Sequence, residues 1–62
     1  MTRDEWDEFR YGLGWTRRIR VETHAGDIIE GNILVISKDE GLKLDNTKGY
    51  INYEQIKEIW KL

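Results

Sequence analysis

Twelve carboxylates and a single histidine, His24, are the residues that could move protons in this chain. Paired acids do general acid and base work in many hydrolases. Here Asp4, Glu5, Asp7 and Glu8 fall in what reads as the first turns of a helix, where the helix dipole favours negative charge. Asp39, Glu40 and Asp45 fall in or beside turns. His24 stands next to a turn on a polar face, with no nucleophile signal to complete a triad. No enzyme is expected. With one histidine, no cysteine and no Asp-x-Asp-x-Asp-Gly spacing, no metal and no cofactor is expected either. The remaining chemistry is cationic: Arg17, Arg18 and Arg20, with Arg10, beside Trp15. Arginines interleaved with an aromatic suit single-stranded nucleic acid, through phosphate contact and base stacking. The competing reading is ion pairing with Glu22, Glu30 or the acidic helix, each exposed pair contributing roughly 0 to 1 kcal/mol. A net charge of −2 favours that second reading, because nonspecific nucleic-acid binding needs a cationic excess.

The elements that must carry these residues are legible from periodicity. Thr2 and Glu5 have capping-box spacing, and Trp6, Phe9 and Leu13 follow at i, i+3 and i+7, which predicts a helix over about residues 3 to 12 ended by Gly12 and Gly14. From Thr16 the period becomes two, with Ile19, Val21 and Thr23 on one face and Arg18, Arg20, Glu22 and His24 on the other. Ala25-Gly26-Asp27 is a turn, and a long strand follows from Ile28 to Ser37. Leu34, Val35 and Ile36 make that strand apolar on both faces, so each side calls for a cover. Gly31 marks a bulge or bend within it. Leu42 and Leu44 face inward from a third strand, Tyr50 to Tyr53 form a fourth, Glu54-Gln55 a corner, and Ile56 to Leu62 a fifth. Five short strands rule against a sandwich.

Sixty-two residues make one domain, here residues 1–62 with a barrel over about 16 to 62. A chain of this size buries little more than half of its unfolded surface, and without disulfide or metal the remaining supplement is self-association. The longest apolar run, Ile33 to Ile36, is too short to span a bilayer, and residues 1 to 5 lack the apolar stretch of a secretory signal. No membrane contact and a cytoplasmic location are the expectations. Three tryptophans, Trp6, Trp15 and Trp60, exceed what one small core holds, so at least one is expected to meet a partner or a second copy.

From Ile19 the order of residues is apolar, x, apolar, x, Thr, x, x, Gly26, four residues, Gly31, x, Ile33, two residues, Ile36, Ser37, then Gly41-Leu42-x-Leu44. This resembles the first Sm motif, and Tyr53, Ile56 and Ile59 fall where the shorter second motif would sit. The resemblance covers roughly residues 18 to 59. It implies a mainly β Sm-like fold: an N-terminal α-helix over a strongly bent five-stranded antiparallel barrel that often assembles into a ring. In such rings the fourth strand of one subunit pairs with the fifth of the next, which implies a homo-oligomer interface at Tyr50, Ile51, Tyr53, Ile56 and Trp60. RNA-binding members hold uridine with an Asp and an Asn in the first motif and an Arg-Gly pair in the second. The corresponding places here are Ser37, Gly41, Asn52 and Tyr53, none of them the family residue. Ser37 and Asn52 retain hydrogen-bonding groups and Tyr53 a stacking ring, while the guanidinium is lost. The ending Gly49-Tyr50-Ile51-Asn52-Tyr53-Glu54-Gln55-Ile56 is also similar to the C-terminal small barrel of the ribosome-maturation protein family, a protein-interaction module.

The function expected from these readings is an oligomeric Sm-like module. It would bind single-stranded RNA, or a protein that handles RNA, through Arg17, Arg18, Arg20, Ser37, Asn52 and Tyr53. The alternative is a protein-interaction barrel with a protein partner and no nucleic-acid role.

Overall fold

Thr2 starts the helix. Its hydroxyl accepts from the Glu5 amide at 3.2 Å, and the Glu5 carboxylate accepts from the Thr2 amide at 2.8 Å, the reciprocal pairing that satisfies two otherwise orphaned donors. In the computed structural model, which describes residues 1–62, helix α1 spans Arg3–Tyr11. Asp4 and Glu5 lie in its first turn and Arg10 in its last, both complementary to the helix dipole. Trp6 is fully buried, with Phe9 and Leu13 half-buried against the same core, so the predicted face is the docked one. The Trp6 indole N–H donates to the carbonyls of Ser37 and Lys38, each at 3.2 Å, so its burial leaves no donor unpaired. No helix is long and apolar enough to cross a membrane.

Five antiparallel strands follow: β1 Arg18–Thr23, β2 Ile28–Ser37, β3 Gly41–Leu44, β4 Ile51–Asn52 and β5 Ile56–Lys61, in the order β4-β3-β2-β1-β5. On β1, Ile19, Val21 and Thr23 are buried while Arg18, Arg20 and Glu22 point outward, as period two requires. The inner faces converge with Trp6 on one core of Ile19, Val21, Ile33, Leu42, Leu44, Ile51 and Ile56.

The sheet is curled but not closed by hydrogen bonds. Strand β2 pairs with β1 through Ile28 to Asn32 and with β3 through Ile33 to Ser37, so it changes partner in mid-course. At the far ends, a single 3₁₀ turn, Tyr53–Gln55, joins β4 to β5. Four residue steps at about 2 Å rise cover about 8 Å. Flat, the outermost of five strands would stand about 19 Å apart. The turn can join them only because the sheet bends round until its two edges approach each other.

Three local expectations need correction. The fourth strand is only Ile51–Asn52, because the Asn52 side chain accepts from the Glu54 amide at 2.8 Å and draws Tyr53 into the 3₁₀ turn. The first strand begins at Arg18, since the Thr16 amide is taken by the Leu13 carbonyl in the preceding turn. The register shift in β2 lies between Ile33 and Val35 rather than at Gly31. It turns Leu34 and Val35 both outward, 59% and 41% exposed, while Ile33 and Ile36 face the core. Gly31 serves a different need. A β-carbon there would stand 2.7 Å from Asn46 Oδ1 and 2.8 Å from Asp45 Oδ1, where the β3–β4 connection folds back over β2.

Candidate functional site

The strand pairing brings Ser37, Gly41, Asn52 and Tyr53 together. Ser37 pairs with Gly41 and Gly41 with Asn52, which places Ser37 and Asn52 two strand spacings apart, about 10 Å. Their hydrogen-bonding groups are engaged locally. Ser37 Oγ accepts from the Glu40 amide at 3.1 Å, and Asn52 Oδ1 caps the 3₁₀ turn. Tyr53 stacks on Trp6, and the Arg3 guanidinium lies 5.7 Å from its ring centroid. Arg3 is also within ion-pair distance of Asp7 and Asp39. The cluster therefore exists as a place, with most of its chemistry spent on holding the β2–β3 turn and the β4–β5 corner.

The arginines form a second, separate group. Arg18 pairs with Asn32 across β1 and β2, and Asn32 is five residues from Ser37, about 16 Å along an extended strand. Arg18 and Arg20 share Glu30, at 3.9 Å and 3.0 Å, as the ion-pair reading predicted for them. Arg10 pairs with Asp7, and its guanidinium hydrogen bond, helped by the charge of Arg3, holds the Asp7 carboxyl below its ordinary range. Arg17 is exposed and makes no ion pair.

The residues expected at a subunit interface divide by burial. Ile51 and Ile56 belong to the chain's own core, so only their backbone is available to a partner. Tyr53 is half-buried against Trp6. Tyr50 is 45% exposed beside β4, and Trp60 is partly exposed on the outer face, opposite Arg20. Two open hollows lie near the β1–β2 turn, and His24 and Glu54 border both. No group of three or more His, Cys, Asp or Glu side chains converges anywhere.

Sequence reasoning marked Leu34 and Val35 as apolar surface calling for a cover, without placing both on the outer face, and it did not single out Tyr11. The signal for the pair was present in four consecutive apolar residues, Ile33 to Ile36, too many for one face of a strand. Of the three tryptophans, Trp15 is the one left in water, 93% exposed. No protein-family model, curated protein or solved structure matches the chain.

Proposed function

We propose that this chain is a small-barrel assembly module of the Sm-like kind, which joins copies of itself edge to edge and works through protein contacts. The observation that carries this reading is the pair of bare edges, β4 and β5, at the ends of a curled sheet. Unpaired strand edges are templates for another chain, and β4 of one copy set against β5 of the next would satisfy both. Leu34, Val35 and Tyr50 supply exposed apolar surface beyond what a small solvated barrel needs. The Sm-like assignment draws support from strand β2, which passes from β1 to β3 in mid-course, the strong bend that the resemblance implies. The alternative use of Ser37, Asn52 and Tyr53 as an RNA pocket is weaker, because those groups are already occupied within the fold.

Light scattering over a concentration series tests the proposal. A mass of several chains at tens of micromolar, reduced by Tyr50→Asp, is the expected result. A monomer mass throughout that range would defeat it.

A further inference from the structure

Residues 9 to 21 contain four arginines and no carboxylate, in a chain whose acids outnumber its lysines and arginines twelve to ten. The middle of this segment, residues 12 to 17, joins α1 to β1. It is a built turn: the Gly12 amide donates to Glu8 at 3.0 Å, the Thr16 amide to Leu13 at 3.1 Å, and Gly14 takes a left-handed conformation with φ of 59°. Leu13 anchors it by packing on the core. Two aromatic rings stand out from this anchored turn into water, Tyr11 at 85% and Trp15 at 93% exposure. Neither shares in the ring stacking around Trp6.

Cations border them. Arg10 lies with its guanidinium 5.6 Å from the Tyr11 ring centroid, Arg17 has no carboxylate partner, and Lys61 donates from the end of β5 to the Gly12 carbonyl. With Arg18, four cations flank the turn, and only Arg10 and Arg18 have acidic partners, Asp7 and Glu30. An exposed tryptophan has no role in this fold's packing. Beside unpaired positive charge it presents the two features that a flexible polyanion with planar side groups requires.

We infer that the α1–β1 turn, with Tyr11 and Trp15 as stacking rings and Arg17 and Lys61 as phosphate contacts, binds single-stranded nucleic acid. This site is distinct from the Ser37, Asn52 and Tyr53 cluster and does not depend on self-assembly. Ring stacking and phosphate contact carry no base identity, so the site accepts bases with little selectivity. RNA and DNA single strands share the recognised chemistry.

Fluorescence anisotropy with labelled short oligo-U, oligo-A and oligo-dT, at low and at physiological salt, tests the inference. All three are expected to bind, and equal affinity for oligo-U and oligo-dT would assign recognition to bases and phosphates, whereas preference for oligo-U would add a ribose contact. Trp15→Ala, at a position with no packing role, should weaken binding by about five-fold to a hundred-fold. Arg17→Ala should reduce the magnitude of the salt slope by about 0.7, the value for one phosphate on a single strand. Lack of binding at low salt, or unchanged affinity in Trp15→Ala, overturns the inference. If oligonucleotides do not bind and Trp15→Ala instead lowers the mass measured by light scattering, the turn is a contact between copies of the chain and the nucleic-acid site is refuted. The assembly proposal fails on mass alone, so the two failures are distinguishable.

Discussion

The Trp6 indole lies stacked on the Tyr53 ring, with centroids 5.8 Å apart and planes 9° from parallel. Phe9 stacks on the same indole at 5.5 Å. The helix is thereby fastened to the short turn that joins β4 to β5, where the curled sheet has no hydrogen bonds to hold its edges together. Aromatic pairs of this kind contribute about 0.5 to 1.5 kcal/mol beyond their burial.

Loss of either ring should therefore act on stability. Tyr53→Ala is expected to cost about 2 kcal/mol, and Trp6→Ala about 3 to 5 kcal/mol. The second figure approaches the total for a domain of this size, roughly 3 to 9 kcal/mol, so Trp6→Ala should be largely unfolded. Tyr53→Phe should stay close to the parent protein. Chemical denaturation at one fixed protein concentration reads all three. An unchanged midpoint in Tyr53→Ala would remove the stack from the account of stability.

Two glycines separate backbone from side-chain crowding. A β-carbon on Gly41 would fall 1.9 Å from the Ile51 carbonyl oxygen and 2.9 Å from the Tyr53 nitrogen, with φ at 145°. Nothing flexible can yield there, so Gly41→Ala should cost roughly 3 kcal/mol or more and release β4 from β3. On Gly31 the nearest atoms are the side-chain oxygens of Asn46 and Asp45, which can swing away. The substitution then puts at stake the Asn46 hydrogen bond to the Glu30 carbonyl and the two bonds that Asp45 accepts from the Asn32 amide and side chain, at most about 1 kcal/mol each. Thermal melts of the two variants should rank Gly41→Ala as the worse, and the reverse order would contradict the geometry.

Acid should loosen the start of α1. Hydrogen bonds from the Thr2 amide and hydroxyl region hold the Glu5 carboxyl below its ordinary value, and the Arg10 hydrogen bond does the same for Asp7. A carboxyl whose folded pKa is depressed contributes stability above its unfolded pKa and loses it as pH falls through the folded value. Helicity followed by circular dichroism should thus be level at neutral pH and decline through and below the ordinary carboxylate range. Thr2→Ala should cost about 1 kcal/mol at neutral pH. Glu5→Gln should flatten part of the acid decline, and an acid profile identical to the parent's would show that Glu5 is not among its causes.

The first two strands were legible in the sequence for different reasons. Arg18 to Thr23 alternate strictly, and Ile28 to Ser37 are bounded by turn residues at both ends. The capping box fixed the start of α1 because it is a local hydrogen-bond exchange between residues only three positions apart. Less legible was Tyr53. Tyrosine has an apolar body and a polar tip, and only the fold places Trp6, forty-seven residues earlier, against it. The ion pairs of Arg18 and Arg20 with Glu30 follow from the register of β1 on β2, which sets Arg20 opposite Glu30. Arg17 escapes because it precedes the first paired residue. The partner exchange within β2 has no single marker residue, since it depends on where two different neighbours begin and end.

That exchange yields the last prediction, which concerns four adjacent residues. With the register shift between Ile33 and Val35, Ile33 and Ile36 face the core while Leu34 and Val35 face out. Unbroken alternation from Ile29, Gly31 and Ile33 would instead put Val35 inside and leave Leu34 outside with Ile36. Measured at a concentration where the protein is monomeric, Ile33→Ala should cost about 2 to 4 kcal/mol, because its side chain is buried. Val35→Ala, like Leu34→Ala, should cost within about 0.5 kcal/mol of nothing, as a surface substitution does. At higher concentration the order should invert for assembly: Leu34→Lys and Val35→Lys should lower the mass seen by light scattering while the circular dichroism of each chain stays unchanged. If Val35→Ala in the dilute monomer proves as damaging as Ile33→Ala, the register shift is absent, and Val35 is lost from the exposed apolar surface assigned to the outer face.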